Sequence, residues 1–250
     1  MKSTIFNLII LDESGSMSGM TKSTISGCNE TLNTIRFASE QSADTIRNLV
    51  SIYAFQNGGP VKSRYLVKNA NPKDVKDITT KDYRPYGNTP LLDAVGSTLT
   101  ELKAIAETHE DATGIVTIMT DGYENSSTQY NWKQVADIIS QLREIGWTIN
   151  LIGANIDVKE MASMMNINVD NTMAYHQTEE GTKDMWGKFS SSIGQHIQDE
   201  VCCSIASPDS KEDRIAYRKR SSKSFFNRKK KEEADPKDPF ASNDSDSLPF

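Results

Sequence analysis

A recurrent change of character constrains this fold more than any other feature: an apolar run of strand length stops on a polar segment, and a helix-spaced stretch follows. Ile5 to Leu11 is the first such run, too short for a helix, and it ends on Asp12-Glu13-Ser14-Gly15-Ser16. Residues 22–47 carry Ile25, Cys28, Leu32, Ile35 and Ala38 at helical spacing. Leu49 to Phe55 reads as a strand closed by the turn residues Asn57-Gly58-Gly59-Pro60, with Val61 to Val67 as its antiparallel partner. Pro90 to His109 is helical, with Pro90 in the first turn and Leu91, Leu92, Val95, Leu99, Leu102 and Ile105 on one face. Ile115 to Met119 is a buried strand, and Trp132 to Ile145 a helix ended by Gly146. Thr148 to Ile152 and Met173 to Tyr175 read as strands, Val158 to Met165 and Glu179 to Ile197 as helices. The alternation predicts an α/β fold, a doubly wound, mostly parallel central sheet with helices on both faces, Rossmann-like in layering. Ligands of such sheets sit past the C-terminal strand ends.

Charge divides the chain. A net charge of −6 conceals 17 basic and 25 acidic side chains in residues 1–206, nine Lys or Arg and no acid from Arg214 to Lys231, and six acids from Glu232 to Phe250. Blocks of like charge repel and stay solvated, so the expectation is one globular domain over residues 1–200 and a disordered, basic-then-acidic tail over residues 201–250. No apolar run approaches the ~18 residues of a membrane span. The first apolar stretch contains Asn7 and runs into Asp12-Glu13 with no small-residue cleavage site, which argues against a signal peptide. Three cysteines, Cys28, Cys202 and Cys203, make no disulfide framework; together these features predict a cytoplasmic protein.

Three polar segments carry the chemistry. Asp12-Glu13-Ser14-Gly15-Ser16 follows the first strand, Gly87-Asn88-Thr89-Pro90 precedes the long helix, and Thr120-Asp121-Gly122 follows the central strand. The topology would bring them to one sheet edge. They offer two carboxylates, Asp12 and Asp121, and three hydroxyls, Ser14, Ser16 and Thr89. A donor set made of oxygen alone selects a hard cation, Mg²⁺ with Mn²⁺ also compatible, over Zn²⁺. Hydroxyls are weak neutral ligands, so such a cation keeps much of its charge and attracts a carboxylate from a partner protein. The competing reading is that Asp12 or Ser14 caps the first helix.

In this order on an α/β alternation, Asp-x-Ser-x-Ser, a later Thr and a later Thr-Asp-Gly resemble the von Willebrand factor A (VWA) domain and its metal-ion-dependent adhesion site, over about residues 3–200. The resemblance implies that Ser14, Ser16 and Thr89 bind the metal directly, and that Asp12 and Asp121 act largely through water. The family includes cell-surface adhesion modules and intracellular proteins, many of the latter partners of AAA+ ATPases. By that resemblance the chain sits with the intracellular branch, and an AAA+ ATPase is a candidate partner.

Enzyme readings fare less well. Where an aspartyl phosphatase carries a second acid two residues on, this chain has Ser14. Gly15 and Gly19 form no dinucleotide fingerprint, and there is no phosphate-loop pattern or nucleophile elbow. His109, His176 and His196 are scattered and read as surface or capping residues. Glu124 reads as a solvated loop acid or as a general base beside a metal-bound water, which keeps a metal-dependent hydrolase as the alternative. Asp93 reads as support for the metal site or as a first-turn acid favoured by the helix dipole. Met161, Met164 and Met165, with Trp132, Trp147 and Trp186, read as packing residues.

The basic block interleaves Tyr217, Phe225 and Phe226, a pattern able to neutralise phosphates and stack on unpaired bases. A solubilising spacer and a membrane-surface segment are its other readings. The last residues, Asn243-Asp244-Ser245-Asp246-Ser247-Leu248-Pro249-Phe250, resemble the acidic C-terminal tip of bacterial single-stranded-DNA-binding proteins. That resemblance implies docking to replication or repair proteins, so residues 214–250 would make the chain a nucleic-acid-associated adaptor.

Overall fold

The computed structural model describes residues 2–206 and 210–227. β1 (Ser3–Asp12), β2 (Ile46–Phe55), β3 (Arg64–Ala70), β4 (Ala112–Thr120), β5 (Thr148–Gly153) and β6 (Thr172–Ala174) form one sheet in the order β3-β2-β1-β4-β5-β6. β3 is antiparallel to β2 and every other pairing is parallel. β1 is central and all ten of its residues are buried. Alternation along it feeds two cores: Ile5, Ile9 and Leu11 face α1 (Thr21–Gln41) and α5 (Glu179–Ala206), while Phe6, Leu8 and Ile10 face α2 (Leu91–Ala106), α3 (Trp132–Glu144) and α4 (Val158–Met164). No helix among the described residues is long and apolar enough to cross a membrane.

The doubly wound sheet is the one the alternation predicts, with shifted boundaries. β3 begins at Arg64, three residues later than the turn signal suggests, and α1 ends at Gln41. Trp147, Trp186, Met161 and Met165 are core residues as read, whereas Met164 is exposed.

The expectation of a solvated tail from residue 201 is corrected. α5 continues to Ala206, and α6 (Lys211–Ser221) packs against α5 and α3. Arg218 is 3% exposed. Its Nε donates to Glu200 Oε2 at 2.9 Å, Nη1 to Asp111 Oδ1 at 2.9 Å, and Nη2 to Ser3 Oγ at 2.9 Å. Burial holds the Glu200 carboxyl above its ordinary value even with Arg218 beside it. Gly146, at φ +88°, ends α3, and a Cβ there would come within 2.9 Å of the Arg218 Cβ, so the helix-ending glycine also admits α6. Phe225 is fully buried against Phe189, His196 and Phe226. A charge census counts Arg218 as solvated because its acidic partners lie far away in sequence. Residues 228–250, with the acidic tip and most of the Lys-rich run, lie outside the described residues.

Candidate metal centre

β1 and β4 are adjacent and parallel, so the segments that follow Asp12 and Thr120 emerge side by side at one sheet edge. The third segment is held there by its backbone. Gly15 N donates to Gly87 O at 3.0 Å, and Asn57 and Asn88 exchange backbone hydrogen bonds of 2.8 and 3.3 Å. Gly87 has φ +74°, and a Cβ on it would fall 1.7 Å from Asn57 O, so this approach requires glycine.

All five sequence-predicted residues converge. The Ser14 and Ser16 hydroxyls lie 3.0 Å apart, and Ser16 donates to Asp121 Oδ1 at 2.6 Å. Asp12 Oδ1 accepts from Ser14 N at 2.7 Å and its Oδ2 from Thr120 Oγ1 at 2.6 Å. Thr89 is fixed by its main chain: its N–H donates to Asn125 Oδ1 at 2.9 Å. Its Oγ1 lies 3.6 Å from where a Cβ on Gly122 would stand, which places it beside the Asp121 loop. Ser14 occupies the cap position of the short 3-10 turn Gly15–Met20, yet its side chain makes no capping bond. The capping reading therefore leaves the Ser14 hydroxyl unexplained.

The site is built for positive charge. Asp12, Ser14, Thr89 and Asp121 are each buried. Burial pushes the Asp12 carboxyl up to about 6, against the hydrogen bonds from Thr120 and Ser14, and the charge of Asp121 adds to the rise. A cation between the two carboxylates would relieve both effects. Oxygens at right angles on one Mg²⁺ stand about 2.9 Å apart, given metal–oxygen distances of about 2.0–2.1 Å, close to the spacing of the two serine hydroxyls. Among the described residues no group of three or more His, Cys, Asp or Glu forms a metal cluster. The hydroxyls are thus needed for any cation here, and the donors present fit a hard one.

Several supporting residues carry no signature in the sequence. Gln177, in the loop after β6, donates from Nε2 to Asp121 Oδ2 at 2.5 Å and to Ser16 O at 3.3 Å, and Asn155 Nδ2 donates to its Oε1 at 2.6 Å. Tyr83 donates its hydroxyl to Asp12 O at 2.6 Å. Glu13 is fully buried in a two-pronged ion pair with Arg64 at 2.6 and 3.1 Å and also accepts from Arg84 N. The only hint of Glu13 was its place inside the first polar segment.

The acids with open readings have structural duties. Glu124 accepts from Leu92 N, Ser126 N, Ser127 N and Ser127 Oγ, so it organises its loop and is not simply a solvated acid. Asp93 stands in the first turn of α2 and accepts from the backbone N–H groups of Thr128, Gln129 and Tyr130. His176 is exposed, and His109 caps the end of α2 through Ile105 O while packing on Phe6. His196 departs from its surface reading: it is buried, 3.0 Å from Thr148 Oγ1.

No protein-family model matches this sequence, and no curated protein is similar to it. Solved structures do match. The pilus adhesin SpaC from Lactobacillus rhamnosus GG, in its open conformation, superposes with a TM-score of 0.56 at 13% identity, over 79% of this chain and 30% of that protein. This chain therefore spans about a third of the adhesin. The vWF domain of the type V pili tip protein Mfa5 from Porphyromonas gingivalis matches with a TM-score of 0.52 at 8% identity, over 79% of this chain and 97% of that domain. Proximal thread matrix protein 1 from the mussel byssus, solved with a zinc-occupied MIDAS motif, matches with a TM-score of 0.50 at 14% identity, over 74% of this chain and 47% of that protein. These likenesses establish a von Willebrand factor A-like fold over about three quarters of this chain.

Proposed function

We propose that this chain is a Mg²⁺-dependent protein-binding module that engages an acidic residue of a partner protein, and that it works as a cytoplasmic adaptor or regulator without catalysis of its own. The observation that carries this reading is the convergence of Asp12, Ser14, Ser16, Thr89 and Asp121 in one site with only two carboxylates, where all but the exposed Ser16 are buried. Ser14, Ser16 and Thr89 would hold the cation directly, with Asp12 and Asp121 around it, and Mn²⁺ suits the same donors. Bound there, a divalent cation would supply uncompensated positive charge for a partner's carboxylate.

This chain's own residues prepare that surface. Asp12 fixes the Ser14 turn, Gln177 holds one oxygen of Asp121, and the Glu13–Arg64 pair anchors the loop that leads to Thr89. A binding reading is favoured over hydrolysis because Glu124 is committed to loop N–H groups. It is favoured over nucleic-acid stacking because Phe225 is in the core and Phe226 packs on it. Three free thiols suit a reducing compartment. An AAA+ ATPase remains a candidate partner through the family resemblance alone.

The test is a pull-down in Mg²⁺, in excess chelator, and with Ser14→Ala. Release of the same proteins by chelation and by the variant is the expected result. A main partner that stays bound in chelator would overturn the metal-bridge reading.

A further inference from the structure

Among the described residues three large aromatic side chains are more than half exposed, and two of them, Tyr86 at 57% and Tyr123 at 52%, stand on the loops of the metal centre. Tyr86 immediately precedes Gly87-Asn88-Thr89, and Tyr123 directly follows Asp121-Gly122. Scattered exposed rings are ordinary surface; two held beside one ligand-binding centre have the character of an interface. Both are held. Tyr86 N donates to Glu13 O at 2.9 Å, and its ring lies against the β2–β3 connection, where a Cβ on Gly59 would come within 2.9 Å of Cδ1. The Tyr123 hydroxyl accepts from Asp157 N at 2.9 Å, at the start of α4. Rings fixed in advance lose little conformational freedom when a partner covers them, and Tyr is among the residues that carry most interface energy.

The strand order sets their separation. Gly59 belongs to the connection that leaves β2, and Asp157 to the one that leaves β5; β1 and β4, which carry two of the metal loops, lie between. Three strand spacings of about 4.8 Å put these two anchors about 14 Å apart. The rings therefore flank the centre on opposite sides, with Ser16, the exposed member of the five oxygen-bearing residues, at the strand ends between them.

That span has a counterpart in an extended chain, which rises about 3.3 Å per residue and turns every second side chain to the same face. About four residues cover about 14 Å, so a segment whose acid sits at the centre would set the side chains two places before and two places after it on the rings. Arg84, exposed two residues before Tyr86, opposes a cation there. Resting on the metal-bridge reading of this centre, we propose that the partner presents an extended segment with an aspartate or glutamate in the middle and a large apolar side chain two residues to either side, one packed on Tyr86 and the other on Tyr123.

The test pans a phage-displayed random peptide library, with a fixed central aspartate or glutamate, on the full chain in Mg²⁺ and elutes with excess chelator. Large apolar residues should be enriched two places before and two places after the acid. Tyr86→Ala should lose the preference on one side and Tyr123→Ala on the other, whereas Tyr86→Phe should keep both. A selected peptide should bind each alanine variant about tenfold more weakly by fluorescence anisotropy. Mg²⁺ should raise the melting midpoint of both alanine variants as it does that of wild type, because neither ring is among the predicted metal ligands. Chelator-eluted peptides with no apolar preference at those places, or with basic residues there, overturn the inference and leave the metal bridge standing. So do a preference unchanged in both alanine variants and a loss of the Mg²⁺ shift in either. An absence of chelator-eluted peptides overturns the metal bridge and this inference with it.

Discussion

Phe225→Ala separates a packed C-terminal segment from a solvated one more sharply than any other change. Phe225 is fully buried, with ring centroids 4.9 Å from Phe226 at 90°, 5.6 Å from His196 and 6.4 Å from Phe189. Truncating a buried Phe costs about 3–5 kcal/mol, the transfer of the ring plus the cavity it leaves. The edge-on contact with Phe226 is worth about 0.5–1.5 kcal/mol beyond burial, which places the estimate toward the top of that range. For a domain of this size about 2–4 °C accompanies each kcal/mol, so the melting midpoint should fall by about 8–20 °C. Urea unfolding followed by far-UV circular dichroism gives the free energy and thermal unfolding the midpoint. Phe225→Leu, which keeps most of the apolar volume, should lose substantially less. A loss below about 1 kcal/mol for Phe225→Ala, near the ±0.5 kcal/mol of ordinary surface positions, would show that residues 211–227 are not part of the core and would refute the packing argument.

Other outcomes follow from the same structure. Arg218→Met should cost about 3–5 kcal/mol because it strands the buried Glu200 carboxylate, and Arg218→Met with Glu200→Leu should recover part of that loss in the same urea assay. Burial opposes ionisation of Asp111, but Arg218 and then Arg214 outweigh it and hold its carboxyl below the ordinary value. Its stabilisation is therefore complete above the unfolded value of about 3.9 and fades as pH falls through the lower folded value. The stability gap between wild type and Asp111→Asn should accordingly narrow below about pH 4, and a gap constant from pH 7 to pH 2 would contradict this. Mg²⁺ at a hundredfold its dissociation constant should stabilise the native state by about 2.7 kcal/mol, or roughly 5–10 °C, in a thermal-shift titration. Asp12→Asn and Thr89→Ala should remove that shift, and equal shifts in wild type and both variants would dismiss the metal assignment.

Much of the architecture was legible in the chain because its signals are local. Ile5 to Leu11 announces a strand through apolar character and length, and Leu91, Leu92, Val95, Leu99 and Leu102 announce one face of α2 by spacing. The three polar loops could be placed at one edge because parallel strands joined by helices all end on the same side. Element ends were less legible. β3 starts at Arg64 because pairing with β2 begins opposite Ala54, a choice made between strands and not within the turn.

The sequence by itself determined the layers, the order of the polar loops and the five oxygen-bearing side chains that meet there, since periodicity and strand direction are properties of neighbouring residues. Only the tertiary structure decided which polar residues hold that site and which charged ones close the core. Gln177 reaches Asp121 from 56 positions away, and Arg218 meets Asp111 across 107. Contacts of that separation are chosen by the whole packing, where a buried group must find whatever partner the fold brings within reach. A segment that reads as solvated from its charge thus becomes core once two distant acids and an aromatic pocket accept it.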